Sequence, residues 1–546
     1  MLNRLRRLSP KSLKADLSAG LTTALITIPD GIASAILAGV NPIHGLYALM
    51  IGTPIAAMLA SSHFMYVANT GALAVATGSA LGDFSGDAKL QALIVLTVLA
   101  GLIQLALGLL RLGGLVRFVA NVVLIGFMSG IAVRIILSQL GELNGYHAEG
   151  GNALMRTLDW AMHLHQSDLG SSAIGLGTLA LVVLLNRTRV AQLSMAIALL
   201  VATLVVSLAG LDSVATVSDI ASIPSGFPTL ALPQWNLVAA MFPAAAALAI
   251  IGLVQGVGVS KTIPNPDGSY PLVSRDFSAT GVANVAAGAF HGMPIGGTMS
   301  ETAVSLKAGA RSRWANIFSG GFIILAVLLL ADGVGYLAMP AIGALLVIAG
   351  IEAIKPARIL DVWHSGWEPR VILLVTFIAT LVLPVEQAVF LGVALSMLHF
   401  IYASSVDVRI VSMTPLDNGS FAEHPAPAQL HAGQTVVLAA YGSLYFAAAA
   451  TLEKKLPDAA PGACVILRLR GVQRAGSTLV TVIEQYAHKL KQRGATLMLA
   501  EVSPSLQVQL AKTGTLEICG LDRVFNAEPD VFAATRRALQ AATDNR

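Results

Sequence analysis

Residues Gly296 to Ser305 read GGTMSETAVS, with two glycines, four hydroxyls and one carboxylate inside a largely apolar tract. Glu301 falls on one helical face with Thr298, Thr302 and Ser305, at i, i+3, i+4 and i+7 spacing. Hydroxyls donate and accept hydrogen bonds, and a carboxylate takes up a proton or a cation. That set suits ion handling better than bond-breaking chemistry. A second stretch, NTGALAVATGSAL from Asn69 to Leu81, is built alike but carries no acid. A third candidate is Asp30, which follows Pro29 at an expected helix break. There it would either cap a helix end or touch a substrate or cation. No nucleophile elbow, zinc spacing or phosphate-binding P-loop appears, so neither an enzyme nor an ATP-driven pump is expected. His44, His63 and His291 stand isolated in sequence and suggest no metal site.

The composition says what must position these residues. Of 546 residues, 55% are hydrophobic and only 12% charged, about half the charged share of a soluble domain. A spanning helix needs about 20 apolar residues. Fourteen apolar segments can be read at 17–38, 42–60, 70–82, 91–110, 118–140, 171–186, 191–210, 238–260, 277–291, 297–309, 314–331, 336–353, 370–384 and 386–404. The chain is therefore a polytopic α-helical membrane protein. Its net charge of +4 belongs to loops that set topology and implies no nucleic acid.

Basic residues alternate from side to side. Arg4, Arg6, Arg7, Lys11, Lys14, Arg111, Arg117, Arg187, Arg189, Lys261, Arg275, Arg311, Arg313, Lys355, Arg358 and Arg370 fall in one set of loops. Only Lys89 and Arg156 fall in the other, and the long loop over 211–236 has no Lys or Arg. By the positive-inside rule, the N-terminus is expected on the cytoplasmic side. An even number of spans returns the C-terminus to the same side.

The expected divisions are a cytosolic segment (1–16), a transport domain (17–404), a Pro/Gly-rich linker with a strand (405–430), and a final domain (431–546). In the final domain strands such as ACVILRLRG and ATLMLAEV alternate with helices such as STLVTVIEQYAHKLKQRG, the pattern of an α/β fold. Cys464 and Cys519 suit a reduced, buried core.

The two polar stretches are each about half a span long, and they correspond if the chain divides into two seven-segment halves. Paired short, Gly-interrupted segments point to a transporter with an inverted repeat. Two half-helix N-termini would then meet near the midplane. Their unpaired N–H groups and positive dipole ends favour an anion.

At these residues the chain resembles the SulP, or sulfate permease, family of anion transporters. DLSAGLTTALITIPDGIASAILAGVNPIHGLYA (Asp16 to Ala48) resembles the first-helix signature of that family. IGFMSGIAVRIILSQL (Ile125 to Leu140) resembles its fifth helix, and GVANVAAGAFHGMPIGGTMSETAVSLKAGARS (Gly281 to Ser312) its ninth and tenth. The C-terminal domain resembles the family's STAS domain. The resemblance implies a 7+7 inverted repeat with a core of segments one to four and eight to eleven, and a gate formed by the rest. It also implies an elevator-like motion, no cofactor, and a homodimer.

Carried over by position, the substrate site takes Ile28, Pro29 and Asp30 from segment one, and Asn69, Thr70, Gly71 and Ala72 from segment three. From segment ten it takes Thr298, Met299, Ser300, Glu301 and Thr302. The sequence departs from the family at several of these. Asp30 stands where many members have glutamine, Glu301 where many have a non-acid, and Gln255 where many have an acid. Cation coupling is therefore assigned to Asp30, Glu301 and Gln255. The site's carboxylates repel an anion by several kcal/mol unless a proton or Na⁺ neutralises them. The substrate is expected to be a sulfate-type anion, bicarbonate or a dicarboxylate. A nucleobase proton symporter on the same fold and a STAS-linked scaffold or sensor are the rival readings. In the STAS-like domain, RAGST (Arg474 to Thr478) lacks the family's aspartate, and Ser477 reads as a helix N-cap. Arg134 reads as an interface side chain, a partner of Glu142 or an intramembrane counter-ion.

Overall fold

The computed structural model describes residues 10–114, 120–146, 148–150, 153–220, 226–442, 444, 449–473 and 475–544. Arg4, Arg6, Arg7, Arg117 and Arg474, together with part of the 211–236 loop, lie outside them. The chain divides into two compact units, Met1–Ser396 and Met397–Arg546.

The first unit is helical. Its first half holds α1 (Pro10–Leu37), α2 (Ile43–Leu59), α3 (Gly71–Ala80), α4 (Gly86–Leu109), α5 (Asn121–Asn144), α6 (Ala153–Met162), α7 (Leu169–Leu185), α8 (Ser194–Ala209) and the single turn α9 (Val217–Ile220). Its second half holds α10 (Val238–Thr262), α11 (Val273–Ala289), α12 (Met299–Lys307), α13 (Trp314–Gly335), α14 (Met339–Ala353), α15 (Pro356–Ser365), α16 (Trp367–Val382) and the start of α17 (Val385–Val406), which runs on into the second unit. Each of the fourteen expected segments coincides with a helix; α6, α9 and α15 are extra. Among the described residues, seven helices are long and apolar enough to cross a membrane. Leu200, Leu204 and Leu208 expose one apolar stripe of α8, as a lipid-facing helix does.

Two packing groups emerge. In one, α4 packs on α10 and α11, α2 on α11 and α13, and α1 on α13. In the other, α5 packs on α7, α14 and α16, and α7 on α8 and α14. This is the grouping into core and gate that the resemblance implied. Where α10 faces α5 and α17, the lining is Val123, Phe127, Ile250, Val254 and Val389, with Gln255 the polar exception.

Helices α1 and α2 pack tightly in the core, where a Cβ on Gly45 would lie 2.0 Å from Gly31 O. Gly45→Ala is expected to lower the unfolding temperature of the detergent-solubilised protein, since overpacking a tight contact costs about 1–3 kcal/mol. An unchanged midpoint in a thermal scan would show that α2 can retreat freely.

Helix α1 corrects one expectation. It runs unbroken through Pro29, so Asp30 sits mid-helix and caps nothing. Proline is tolerated in membrane helices where neighbouring groups satisfy the freed carbonyl.

The second unit has a six-stranded mixed sheet. Its strands are β3 (Arg409–Pro415), β4 (Phe421–Pro425), β6 (Thr435–Tyr441), β8 (Cys464–Arg468), β9 (Thr496–Val502) and β10 (Val524–Asn526), in the order β10-β9-β8-β6-β3-β4. Short strands β5 (Gln429–Leu430) and β7 (Asp458–Ala459) pair apart from it. The expected linker therefore contributes the β3–β4 hairpin. Side chains alternate across the sheet. Leu438, Val465, Leu467, Leu497 and Leu499 face α18 (Ala449–Lys455), α19 (Ser477–Gln492), α20 (Pro504–Lys512) and α21 (Thr515–Cys519). Val437, Ile466, Met498 and Ala500 face α22 (Ala533–Asp544). Ser477 is the first helical residue of α19, and Gly476 holds the cap position that Ser477 was expected to fill. Both cysteines are buried; burial pushes the Cys519 thiol up to about 11.

Candidate functional site

The two polar stretches meet through a ribbon too short to read from sequence. Strand β1 (Tyr66–Ala68) pairs antiparallel with β2 (Gly296–Thr298), in the register Tyr66↔Thr298, Val67↔Gly297 and Ala68↔Gly296. Helix α3 follows β1 after two residues, and α12 follows β2 directly. They have 10 and 9 residues, so each is about 14–15 Å long, half a bilayer core. Because the strands are antiparallel, the helices leave in opposite directions with their N-termini at the ribbon.

Those N-termini keep donors in reserve. At α3, Thr70 Oγ1 accepts from Leu73 N–H, leaving the amides of Gly71 and Ala72 without a side-chain cap. At α12, Thr298 makes no side-chain cap; its hydroxyl donates to Tyr66 O at 3.4 Å. The Ser300 and Glu301 amides therefore remain available. Each helix end carries about half a positive charge.

Around these ends the expected residues divide. Asn69 is 3% exposed, and neither polar atom of its amide has a hydrogen-bond partner among the described residues. Gln255 on α10 pairs with the Thr70 hydroxyl, its Nε2 at 3.2 Å, which places segment eight against segment three. Ser300 donates to Glu301 Oε2 at 2.6 Å. Glu301, Thr302 and Ser305 form the buried face of α12. Met299 and Ser300 are exposed, and Ile28, Asp30, Thr70 and Gly71 are half-buried, while Ala72 and Thr298 are buried. Asp30 lies within electrostatic reach of Glu301 and of Glu352 at the end of α14.

A buried scaffold, absent from the sequence reading, fixes this geometry. Asn284 of α11 grips the residue before β2 from both sides. Its Nδ2 donates to Ile295 O at 2.9 Å, and its Oδ1 accepts from Ile295 N–H at 2.8 Å. Gln104 of α4 accepts from the same amide at 2.8 Å. Asn316 of α13 grips the other entry, donating to Met65 O at 2.9 Å and Phe64 O at 3.3 Å. Thr53 of α2 donates to Val67 O at 2.7 Å. Tyr66 N–H donates to Thr302 Oγ1 at 2.9 Å, and its hydroxyl bonds with Ser319 Oγ at 2.7 Å. The available signal was a lone amide in an apolar helix, as in GVANVAAG and WANIF, since polar residues inside a membrane are costly and retained for a purpose.

Two carboxylates pin the loops that flank the ribbon. Asp276 of α11 accepts from Ser61 N–H, Ser62 N–H and Ser260 Oγ at 2.6, 3.0 and 2.7 Å. Asp16 of α1 accepts from Arg311 N–H, Ser312 N–H and Ser312 Oγ at 2.7, 3.0 and 2.6 Å. Arg134 donates to Thr380 O and Leu383 O, at the C-terminal end of α16, where a cation complements the helix dipole. His44 and His291, isolated in sequence, are neighbours: His44 Nδ1 lies 2.7 Å from His291 O.

Comparison with known proteins agrees with this architecture. The sequence model of the sulfate permease family matches residues 13–376, and that of the STAS domain matches residues 427–534. A Mycobacterium tuberculosis protein named "Probable sulfate transporter Rv1739c" is 28% identical, with 96% of each chain covered. Human "Solute carrier family 26 member 6" is 28% identical over 71% of this chain and 54% of its own. Among solved structures, murine Slc26a9 in the inward-facing state superposes with a TM-score of 0.84 at 18% identity, covering 99% of this chain and 93% of that one. The transmembrane domain of a cyanobacterium bicarbonate transporter gives 0.59 at 21% identity, over 71% of this chain and 98% of that one. With the family model matching residues 13–376 and the STAS model matching the C-terminal domain, the chain belongs to the sulfate permease family.

Proposed function

We propose that the chain is a secondary transporter of a small oxyanion of the sulfate type, coupled to H⁺ or Na⁺, in an inner membrane. The observation that carries this is the pair of half-helix N-termini at one ribbon, with spare amides and hydroxyls and, among the described residues, no fixed cation beside them. Backbone donors and helix dipoles bind an oxyanion without a counter-charge. Thr70, Thr298 and Ser300 add hydroxyls beside the amides of Gly71, Ala72, Ser300 and Glu301. Glu301 sits in the first turn of α12 and opposes that binding while ionised. Protonation or a bound Na⁺ removes the opposition, so the anion and the cation enter together. Asp30 adds a second carboxylate within electrostatic reach, and Gln255 holds Thr70 in place without adding a third.

The movement that fits is an elevator-like shift of the α1–α4 and α10–α13 group against the rest. Its support is the apolar seam where α10 meets α5 and α17, which offers few polar contacts to break. The names of the mycobacterial relatives favour sulfate, and that of the cyanobacterial neighbour keeps bicarbonate as a rival. A homodimer with cytoplasmic termini completes the reading.

The test is uptake of labelled sulfate, bicarbonate, fumarate and uracil into proteoliposomes, each under an imposed H⁺ or Na⁺ gradient. Sulfate is expected to accumulate with one gradient and not without it. Accumulation of uracil alone would assign the protein to nucleobase transport. Absence of any uptake would leave the scaffold reading.

A further inference from the structure

A cleft of about 630 Å³ opens in the second unit between the β3–β4 hairpin and the end of α18. Arg409, Lys454 and Lys455 stand at its rim, and Ile410, Pro425 and Leu456 supply apolar wall. The sequence reading attached no role to these residues. We propose that this cleft holds the phosphate of an anionic membrane lipid.

The first argument is charge. Arg409 and Lys454 are exposed, and among the described residues neither forms an ion pair. Lys455 donates to Val408 O at 2.6 Å, which holds its ammonium at the cleft. The one acid in the lining, Glu423, accepts from the Tyr441 hydroxyl. Three cations against one engaged carboxylate leave the cleft positive, and it takes an anion. Phosphate esters suit such a rim because their oxygens accept from several N–H donors at once.

The second argument is reach. Helix α17 exposes Leu398, Phe400, Tyr402 and Val406 near its C-terminal end, an apolar surface that extends to the helix end. Arg409 follows Val406 by three residues, about 10 Å of extended chain. The headgroup layer beyond the hydrocarbon core is about 5–8 Å deep on each side. Arg409 is thus tethered within reach of the headgroup layer, where basic clusters beside a membrane helix collect anionic lipid. A soluble phosphate ester offers the same chemistry without the tether, so the lipid is the source the chain path favours.

The test uses the full-length protein in phosphatidylcholine vesicles doped with a phosphatidylglycerol that carries a photoactivatable group beside its phosphate. Crosslinked peptides are expected to contain residues 409–411, 425–428 and 454–456. The double variant Arg409→Gln/Lys454→Gln keeps Lys455 and its bond to Val408. Its labelling at those peptides should fall about thirtyfold, from roughly fivefold per basic charge near an anionic surface. Labelling of the spanning helices should stay constant and serves as the folding control. The charge-preserving pair Arg409→Lys/Lys454→Arg should restore the crosslink. Three results would overturn the proposal: cleft labelling unchanged in the glutamine variant, crosslinks confined to spanning helices, or labelling erased by excess soluble glycerol 3-phosphate. The last would assign the cleft to a soluble ester.

Discussion

Glu301→Gln is expected to transport its anion with little or no response to the cation gradient that drives the native protein. Glutamine keeps the size and hydrogen-bonding reach of the side chain, so Ser300 still has an acceptor where it now donates to Glu301 Oε2. What disappears is the charge. At an effective dielectric near 20, one unit charge about 4 Å from another is worth about 4 kcal/mol. That is enough to make anion binding conditional on neutralisation. In the native protein, uptake should rise steeply as external pH falls, or as Na⁺ is added. In the variant that dependence should flatten to within about twofold, because the variant is neutral throughout. The check is initial uptake in proteoliposomes across a pH series, with and without Na⁺. An unchanged slope would show that the coupling cation binds elsewhere, with Asp30 the next carboxylate to replace.

The second large effect is expected at Asn284, which touches no substrate. Asn284→Leu removes a donor and an acceptor together and strands three buried partners: Ile295 N–H, Ile295 O and Gln104 Oε1. Each unsatisfied buried group costs about 1–3 kcal/mol, so several kcal/mol are lost where no water can substitute. The variant should be poorly folded, or should release β2 and lose transport by at least about a hundredfold. Asn284→Asp separates these causes. Its carboxylate still accepts from Ile295 N–H but faces two oxygen acceptors. It should fold and insert, yet show a raised apparent KM, because β2 no longer holds the α12 N-terminus at its set distance from α3. Wild-type uptake kinetics in Asn284→Asp would refute a positioning role.

The sequence carried much of this architecture because bilayer physics writes long signals. Apolar length locates each spanning helix, and the glycine and hydroxyl openings of Asn69–Leu81 and Gly296–Ala310 mark the half-helices. Shorter and longer-range features were hidden for opposite reasons. The β1–β2 ribbon has three residues per strand, too few for any alternation to register. The grips of Asn284 and Asn316 depend on partners brought together only by folding. Asp30 was misplaced because proline was read as a break, although a membrane helix passes through proline when its surroundings allow. The β3–β4 hairpin was read as a linker with one strand, on the strength of its proline, glycine and polar residues. Its turn signal, Asp417-Asn418-Gly419, was legible: Gly419 adopts φ +80° and its N–H donates to Leu416 O.

The ribbon also sets a timetable for the protein's birth. Tyr66 and its neighbour Thr298 are 232 residues apart. At 5–20 residues per second, the ribosome delivers β2 roughly 10–50 s after β1. Throughout that interval, β1 has reached its place in the growing protein while the carbonyl and amide partners it needs are still being translated. A strand in hydrocarbon cannot wait unpaired. Insertion of the first half must therefore leave β1 in a provisional setting, wetted or shielded by the insertion machinery, until the second half arrives to close it.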